Sequence, residues 1–374
     1  MAPFWLALPG FIIWVCILFL PWRPWSTRES LEATAGSGDD DLSRVTVLIP
    51  ARNEEKTIAR TLLSLAGQGR NHRIILIDDQ STDSTVAEAR KLELKNLMIL
   101  EGQPLPEGWT GKLWALQQGL EHAQTGQLLL LDADIELVPG TLAALLDKLE
   151  KDNLQMVSLM AFLRMESFWE KLLMPAFIYF FKLLYPFRLS NSDSKLIAAA
   201  AGGCILIRKE MLNTIGGFAV LRNALIDDCT LARCVKNHGG KTWLGLTHSA
   251  RSHRQYNDLK TIWDMVARTA YTQLHYSVGL LVVCSLLLLT AYLLPLISLF
   301  VAGKTGVLLA VTSLAIMAGT YLPTLTYYNI NIFWAFSLPA IATLYLLMTW
   351  ASAIRYWRGT SAIWKERSYD NQGI

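Results

Sequence analysis

Apolar and polar positions fall in blocks along this chain. "VTVLIP" (45–50), "RIILIDD" (73–79), "LMIL" (97–100) and "LLLL" (128–131) are short apolar runs with no residue-by-residue alternation. Such runs predict strands buried on both faces of a parallel sheet. Helical patterns lie between them, through "EEKTIARTLLSLAGQG", through "STVAEARKL" and from Lys112 to His122. Strand and helix alternating at this spacing predict βαβ units and an α/β domain with a mostly parallel central sheet.

Much longer apolar tracts flank this region. Phe4 to Trp22 is uncharged, with no basic residues before it and no small-residue cleavage site after it. It predicts a retained transmembrane anchor over residues 1–22 rather than a signal peptide. Tyr276 to Gly303 and Thr305 to Ile354 are again uncharged, and the second tract is long enough for two crossings with a turn near "TYYNIN" (326–331). Three further spans are therefore expected over 276–354. Residues 23–43, polar and acidic with Gly and Ser, read as a linker, and 44–275 as a single catalytic-sized domain. Within it "ESFWEKLLMPAFIYFFKLLYPFR" (166–188) has too short an apolar core to span and carries Lys182 inside it. That pattern suits a helix lying in the membrane interface, with a buried helix of the soluble core as the competing reading. Arg23 and Arg28 after the first span put the globular domain in the cytoplasm by the positive-inside rule. Three later crossings would leave the basic tail, residues 355–374, outside, so either one late segment is re-entrant or the rule is broken here.

Composition narrows the class. The chain has 374 residues, of which 52% are hydrophobic and 17% charged, too apolar for an ordinary soluble enzyme and in keeping with a multi-pass protein of the inner or plasma membrane. A net charge of +3 with no basic run interleaved with aromatics gives no ground for nucleic acid as a partner. The five cysteines are scattered without a CxxC pair, so neither a disulfide framework nor a zinc site is expected. No strand runs into GxGxxG or GxxxxGK[ST], which disfavours dinucleotide and P-loop chemistry.

What remains is acidic. Asp78 and Asp79 end the second strand, Asp132 and Asp134 end the fourth in "LLLLDADIELVP", and Asp227 and Asp228 open a helical pattern. Carboxylates at the end of an apolar strand are costly unless a cation or charged ligand compensates them, and open α/β sheets bind ligands at that edge. Bland readings stand beside the functional ones: a strand-end turn for Asp132 and Asp134, first-turn acids favoured by the helix dipole for Glu54 and Glu55, and a helix cap for Asp228, a role that Asp227 alone could fill.

"VTVLIPARNEEKTIARTLLSL", "ILIDDQSTDST", "LLLLDADIELVPGTL", "AAGGCILIRKEML" and "IDDCTLA", in this order and with apolar spans behind them, resemble a family 2 glycosyltransferase of the GT-A fold over about residues 44–275. "WTGKLWALQQG", "MPAFIYFFKLLYPFR", "WLGL" and "RTAYTQL" are further similar to its hopanoid-biosynthesis-associated branch. The resemblance implies an inverting, metal-dependent enzyme moving a sugar from a nucleotide-diphosphate donor, a UDP-sugar, to a lipid acceptor in the bilayer. By the same resemblance Pro50, Arg52 and Glu54 hold the nucleoside, Asp79 bonds the uracil ring, Lys112 lies beside the diphosphate and Asp132 faces the ribose or donor sugar. Asp134 would ligate Mg²⁺ or Mn²⁺, and Asp228 would take the proton of the acceptor hydroxyl. Gly202 and Gly203, together with Asp227 and Arg268, are expected toward the acceptor or a phosphate. Arg268 sits in "MVARTAY" where polymer-making relatives carry QxxRW, so processive synthesis is not implied. His248 and His253 are further candidates for a metal-bound ring nitrogen. Two other readings stay open: transfer to a polyprenyl phosphate, and a non-catalytic, membrane-anchored binder of nucleotide sugars.

Overall fold

In a computed structural model of the chain the apolar runs become strands. The structure describes residues 4–33, 40–222, 224, 226–359, 362–364 and 367–369. The strands are β1 (Val45–Ala51), β2 (Arg73–Asp78), β3 (Leu97–Glu101), β4 (Gln127–Leu131), β5 (Ile135–Leu137), β6 (Met156–Phe162), β7 (Cys204–Arg208) and β8 (Thr242–Ser252). They form one sheet in the order β3-β2-β1-β4-β7-β6-β8-β5. The first four are parallel, whereas β7 is antiparallel to β4 and β6, and β5 is antiparallel to β8. All seven residues of β1 are buried, which is why its sequence shows no alternation. Pro50 is tolerated in this central strand because the pairing with β4 ends at Leu48–Leu130, so on that side no partner needs its missing N–H.

The chain divides into two compact units. The α/β unit comprises Glu29–Arg164 and Phe187–Gln255, and the helical unit Met1–Arg28, Met165–Pro186 and Tyr256–Ile374. These bounds differ from those expected at 44 and 275. The expected interfacial helix, Phe168–Leu184, is part of the helical unit and packs on the helices Lys304–Tyr327 and Leu338–Trp357. It buries Tyr179, whose hydroxyl meets Thr320 Oγ1 at 2.9 Å, and Lys182. A capping box fixes its start: Ser167 accepts from Glu170 N–H while the Glu170 carboxylate accepts from the Ser167 N–H.

The expected linker is also not a free tether where it is described. Ser30 bridges Leu246 of β8, Leu31 N–H donates to Leu246 O, and Glu32 accepts from His248 N–H and from Ser249 Oγ at 2.7 Å. Residues 34–39 of the linker lie outside the described residues. The basic tail lies largely outside them too, apart from the paired strands β9 (Ala362–Trp364) and β10 (Arg367–Tyr369).

Among the described residues of the helical unit three helices are long and apolar enough to cross a membrane: Val278–Val301, Lys304–Tyr327 and Ile332–Trp357. The last two are separated at Tyr328–Asn331, the turn read from the sequence. The amino-terminal apolar helix is shorter, Phe4–Phe19. At about 1.5 Å per residue it reaches about 24 Å, less than the ~30 Å of a bilayer core. Proline explains how it docks. Pro295 has no N–H to offer the carbonyl of Ala291 four residues earlier, and Trp14 Nε1–H donates to that carbonyl at 2.7 Å. Gly10 permits the approach, since a Cβ there would meet Thr290 O at 2.7 Å.

Candidate active site

The carboxyl ends of β2, β1 and β4 lie side by side, so the loops after them share one edge of the sheet. Two of these loops are stitched together. Arg52 Nη1 donates to Asp79 O at 2.6 Å, Asn53 N–H to Ser81 Oγ at 3.0 Å, and Glu54 N–H to Thr85 Oγ1 at 2.8 Å. Asp79 is buried, and its own N–H donates to Ala51 O. These bonds draw the loop that carries Arg52 and Glu54 against the loop that begins at Asp79, and Pro50 lies in β1 just ahead of them.

After β4 the chain turns, with Ile135 N–H donating to Asp132 O at 3.1 Å. That turn is closed by backbone. The carboxylates point to other partners: Asp132 Oδ1 pairs with Lys112 Nζ at 2.7 Å, and Asp134 Oδ2 accepts from Ser252 Oγ at 2.6 Å. The bland reading of the motif accounts for the turn and leaves its acids unexplained. Lys112 comes from the first turn of the helix Gly111–His122, where the helix dipole disfavours a cation. Burial also works against its charge, but Asp132, Asp227 and Asp228 together hold the ammonium well above the usual lysine range.

Asp227 and Asp228 open the helix Asp227–Asn237, whose cap position is Ile226, so Asp227 stands one place inside it rather than capping. Asp228 Oδ1 accepts from Cys229 N–H at 2.7 Å, and the Gly202 backbone also hydrogen-bonds this carboxylate. Burial, and next the negative charge of Asp227, push the Asp228 carboxyl up to about 7. Gly202 has no side chain where one would crowd the site: a Cβ there would lie 3.3 Å from both Asp228 Oδ2 and Lys112 Nζ. A cavity opens beside these groups, lined by Lys112, Gly202, Asp227, Asp228 and apolar side chains such as Phe218 and Leu221. Asp134 is not among its lining residues. The connection runs through Asp132, which pairs with Lys112 on one side and feels the charges of Asp134 and Arg254 on the other.

The remaining candidates separate. Gly203 uses its carbonyl to accept from Asp132 N–H at 3.0 Å, a structural role in the strand crossing. Arg268 is an exposed residue of the helix Leu259–Gln273 and belongs to the helical unit. Both ring nitrogens of His253 are engaged, with Glu136 Oε2 at 2.5 Å and with Arg60 at 2.8 Å, and His248 Nδ1 faces Glu32 at 3.0 Å. Both histidine rings thus pair with glutamates, His253 with Glu136 and His248 with Glu32, rather than with the aspartates of the site. What sequence reading missed is Arg254, whose Nη2 lies 3.1 Å from Glu54 Oε1 and 3.3 Å from Asp134 Oδ1. The signal was present in "SHRQY", a cation two residues beyond the end of the last long strand, but its partner is 120 residues away.

Among the described residues no group of three or more His, Cys, Asp or Glu side chains is arranged to hold a metal. The donors that do gather, Asp132 and Asp134 with the Ser252 hydroxyl, are all hard oxygens. They fit a Mg²⁺- or Mn²⁺-like ion that draws its other ligands from water and a bound diphosphate, the usual manner of such ions.

Comparison with known proteins bears on the fold. Residues 46–216 match the family model described as glycosyl transferase family 2. The chain is 36% identical over 93 residues to a 4,4'-diaponeurosporenoate glycosyltransferase of Staphylococcus haemolyticus, and 37% over 92 residues to one of Staphylococcus aureus. These alignments take in 25% and 24% of this chain and span 24% of the length of each relative. A mannosyltransferase from Pyrobaculum calidifontis, solved in complex with GDP-Man and Mn²⁺, superposes over 94% of both chains with a TM-score of 0.52 and 18% identity. The curled, mixed sheet with its flanking helices is thus a GT-A fold, and the match to the family 2 glycosyltransferase model falls within it, over residues 46–216.

Proposed function

We propose that this protein is an inverting glycosyltransferase that moves a sugar from a nucleotide-diphosphate donor, UDP-linked, to a hydroxyl of a lipid in the membrane. The observation that carries the reading is Lys112, held between Asp132 and the Asp227–Asp228 pair at the mouth of one cavity. This is a cation for a diphosphate set beside a carboxyl that titrates near neutrality. Asp228 accepts the proton of the attacking hydroxyl, and a base near the working pH is the efficient choice. Lys112 faces the diphosphate as a point charge, and Asp132 orients both Lys112 and the donor sugar. Arg52 and the buried Asp79 rim the nucleoside. Gly202 leaves room for the acceptor to reach the anomeric carbon from the side opposite the leaving group.

A divalent cation bound at Asp134 would supply charge neutralisation for the departing diphosphate. The mannosyltransferase of similar fold binds Mn²⁺ and GDP-Man, which agrees with that need. An acceptor of lipid character is supported by the relatives named for diaponeurosporenoate and by three helices of membrane-crossing length. A hopanoid-type lipid is the finer proposal, with the protein multi-pass in the inner membrane and the α/β unit on the cytoplasmic side.

The test is release of labelled UDP from a panel of UDP-sugars by the full chain in lipid nanodiscs with native lipid extract, with and without Mn²⁺. Metal-dependent release that needs the lipid supports the reading. Release from no donor, with donor binding intact, would favour a non-catalytic binder. Near-normal turnover in Asp228→Asn would instead indicate an acceptor already anionic, such as a polyprenyl phosphate.

A further inference from the structure

The Asp134 carboxylate is 7% exposed on its side chain, a setting in which an ionised acid requires a counter-charge. Its two oxygens are treated differently. Oδ2 is fixed by Ser252 Oγ at 2.6 Å, and Oδ1 faces Arg254 Nη2 at 3.3 Å. The same nitrogen lies 3.1 Å from Glu54 Oε1, while Glu54 Oε2 accepts from Thr57 Oγ1 at 3.1 Å. One guanidinium nitrogen therefore stands where two carboxylates, from the loops after β1 and β4, converge. Its backbone is fixed: Ile135 pairs with Ser252 across β5 and β8, His253 N–H donates to Asp134 O at 2.9 Å, and Arg254 N–H to Ser252 Oγ at 3.3 Å. The Arg254 side chain, by contrast, is 35% exposed.

Building on the metal-dependent reading above, we propose that Arg254 is the resident counter-cation of Asp134 in the donor-free protein, and that Glu54 retains it when a divalent cation takes its place on Asp134. Arg254 and the ion then exclude one another at Oδ1, because two cations cannot share one lone-pair direction without strong repulsion. Glu54, expected from the sequence to touch the nucleoside, acts as the holding group. Arg254 is on this view a positioning residue: it balances the buried carboxylate until donor and cation arrive together.

The experiment titrates the full chain in detergent micelles with Mn²⁺, without nucleotide, and reads free Mn²⁺ by electron paramagnetic resonance. Arg254→Met is expected to bind Mn²⁺ at least about tenfold more tightly than wild type, and Arg254→Lys about as wild type, because a cation remains. Arg254→Gln keeps hydrogen-bond donors without the charge, and should also tighten binding if the methionine variant does not fold. Glu54→Gln, which leaves the guanidinium more firmly on Asp134, should weaken binding about threefold or more. Arg60→Met is the control for a general loss of positive field and should change affinity by less than about twofold. Unchanged or weaker binding in both charge-removing variants overturns the proposal, as does an equal gain in Arg60→Met. If wild type binds no Mn²⁺ even with UDP present, the metal-dependent reading itself fails. If wild type binds it and the Arg254 variants do not differ, only the role of Arg254 falls.

Discussion

The two units differ in what they leave exposed. In the α/β unit β1 is wholly buried, and ionisable groups gather beyond the strand ends. In the helical unit large apolar side chains lie outward, Phe300 at 82%, Phe336 at 73% and Leu308 at 67% exposure, while Ser298, Ser313 and Thr324 are buried. Water organises the first arrangement, since burying apolar surface drives folding and leaves charge at the rim. A hydrocarbon solvent fits the second, in which packing of small and polar residues joins helices. Chemistry needing charge can be built at a strand edge where opposite charges offset the desolvation, and in the helical unit polar groups satisfy backbone, as Trp14 does for Ala291.

The largest effect should come from breaking the charged rim. Asp228→Asn is expected to lower turnover by about 10²- to 10⁴-fold, with donor affinity nearly unchanged in a filter-binding assay. Its stability should move the other way. The folded carboxyl holds its proton up to about 7, above the ordinary aspartate value of about 3.9, so the folded state binds more protons than the unfolded one between these values. Stability from this group is full below about pH 4 and lost as pH rises through about 7, so the Asn variant should melt no lower than wild type at pH 8. A variant that loses activity by unfolding would do the reverse.

Lys112→Ala comes next, with a loss on the order of 10²-fold in kcat/KM, because it removes the cation shared by Asp132, Asp227 and Asp228. Measuring both UDP-sugar affinity and turnover shows whether the charge serves binding or the transition state. A smaller effect sharpens the electrostatics. The wild-type acid limb of kcat/KM should lie near pH 7, with activity falling below it as Asp228 takes up its proton. Asp227→Asn removes a like charge and should move that limb to lower pH by about one unit or less.

The smallest change belongs to the helical unit. Trp14→Phe keeps most of the ring packing on Tyr292 but leaves the Ala291 carbonyl without its indole donor. A cost of about 1–2 kcal/mol is expected, read as a lower thermal midpoint in detergent with kcat in the surviving protein unchanged. A loss of kcat as large as that of Lys112→Ala would show that the helical unit does more than hold the chain.

Much of this was legible in the sequence. The block pattern located β1 to β4 to within a residue or two, because strands buried on both faces must be apolar throughout, and the spans had only to be long and uncharged. The acid pairs were legible because a carboxylate directly after a buried apolar run loses its hydration unless a cation or a charged ligand stands against it. The expected free linker misled because composition was all it had to go on: Glu29–Ala33 is polar, yet it docks on β8 through backbone bonds that composition does not encode.

By itself the sequence determined where the first four strands lie, the class of sheet, the membrane-length helices and which acids stand at strand ends, since each follows from local polarity. Tertiary structure alone decided which charges meet. Lys112 reaches Asp132 across a helix-to-strand contact, and Arg254 reaches Asp134 because β5 and β8 pair in one register. A one-residue slip in that register would turn every side chain of β5 to the other face. Partners so far apart in the chain leave no mark on local composition, and only the folded sheet brings them within a few ångströms.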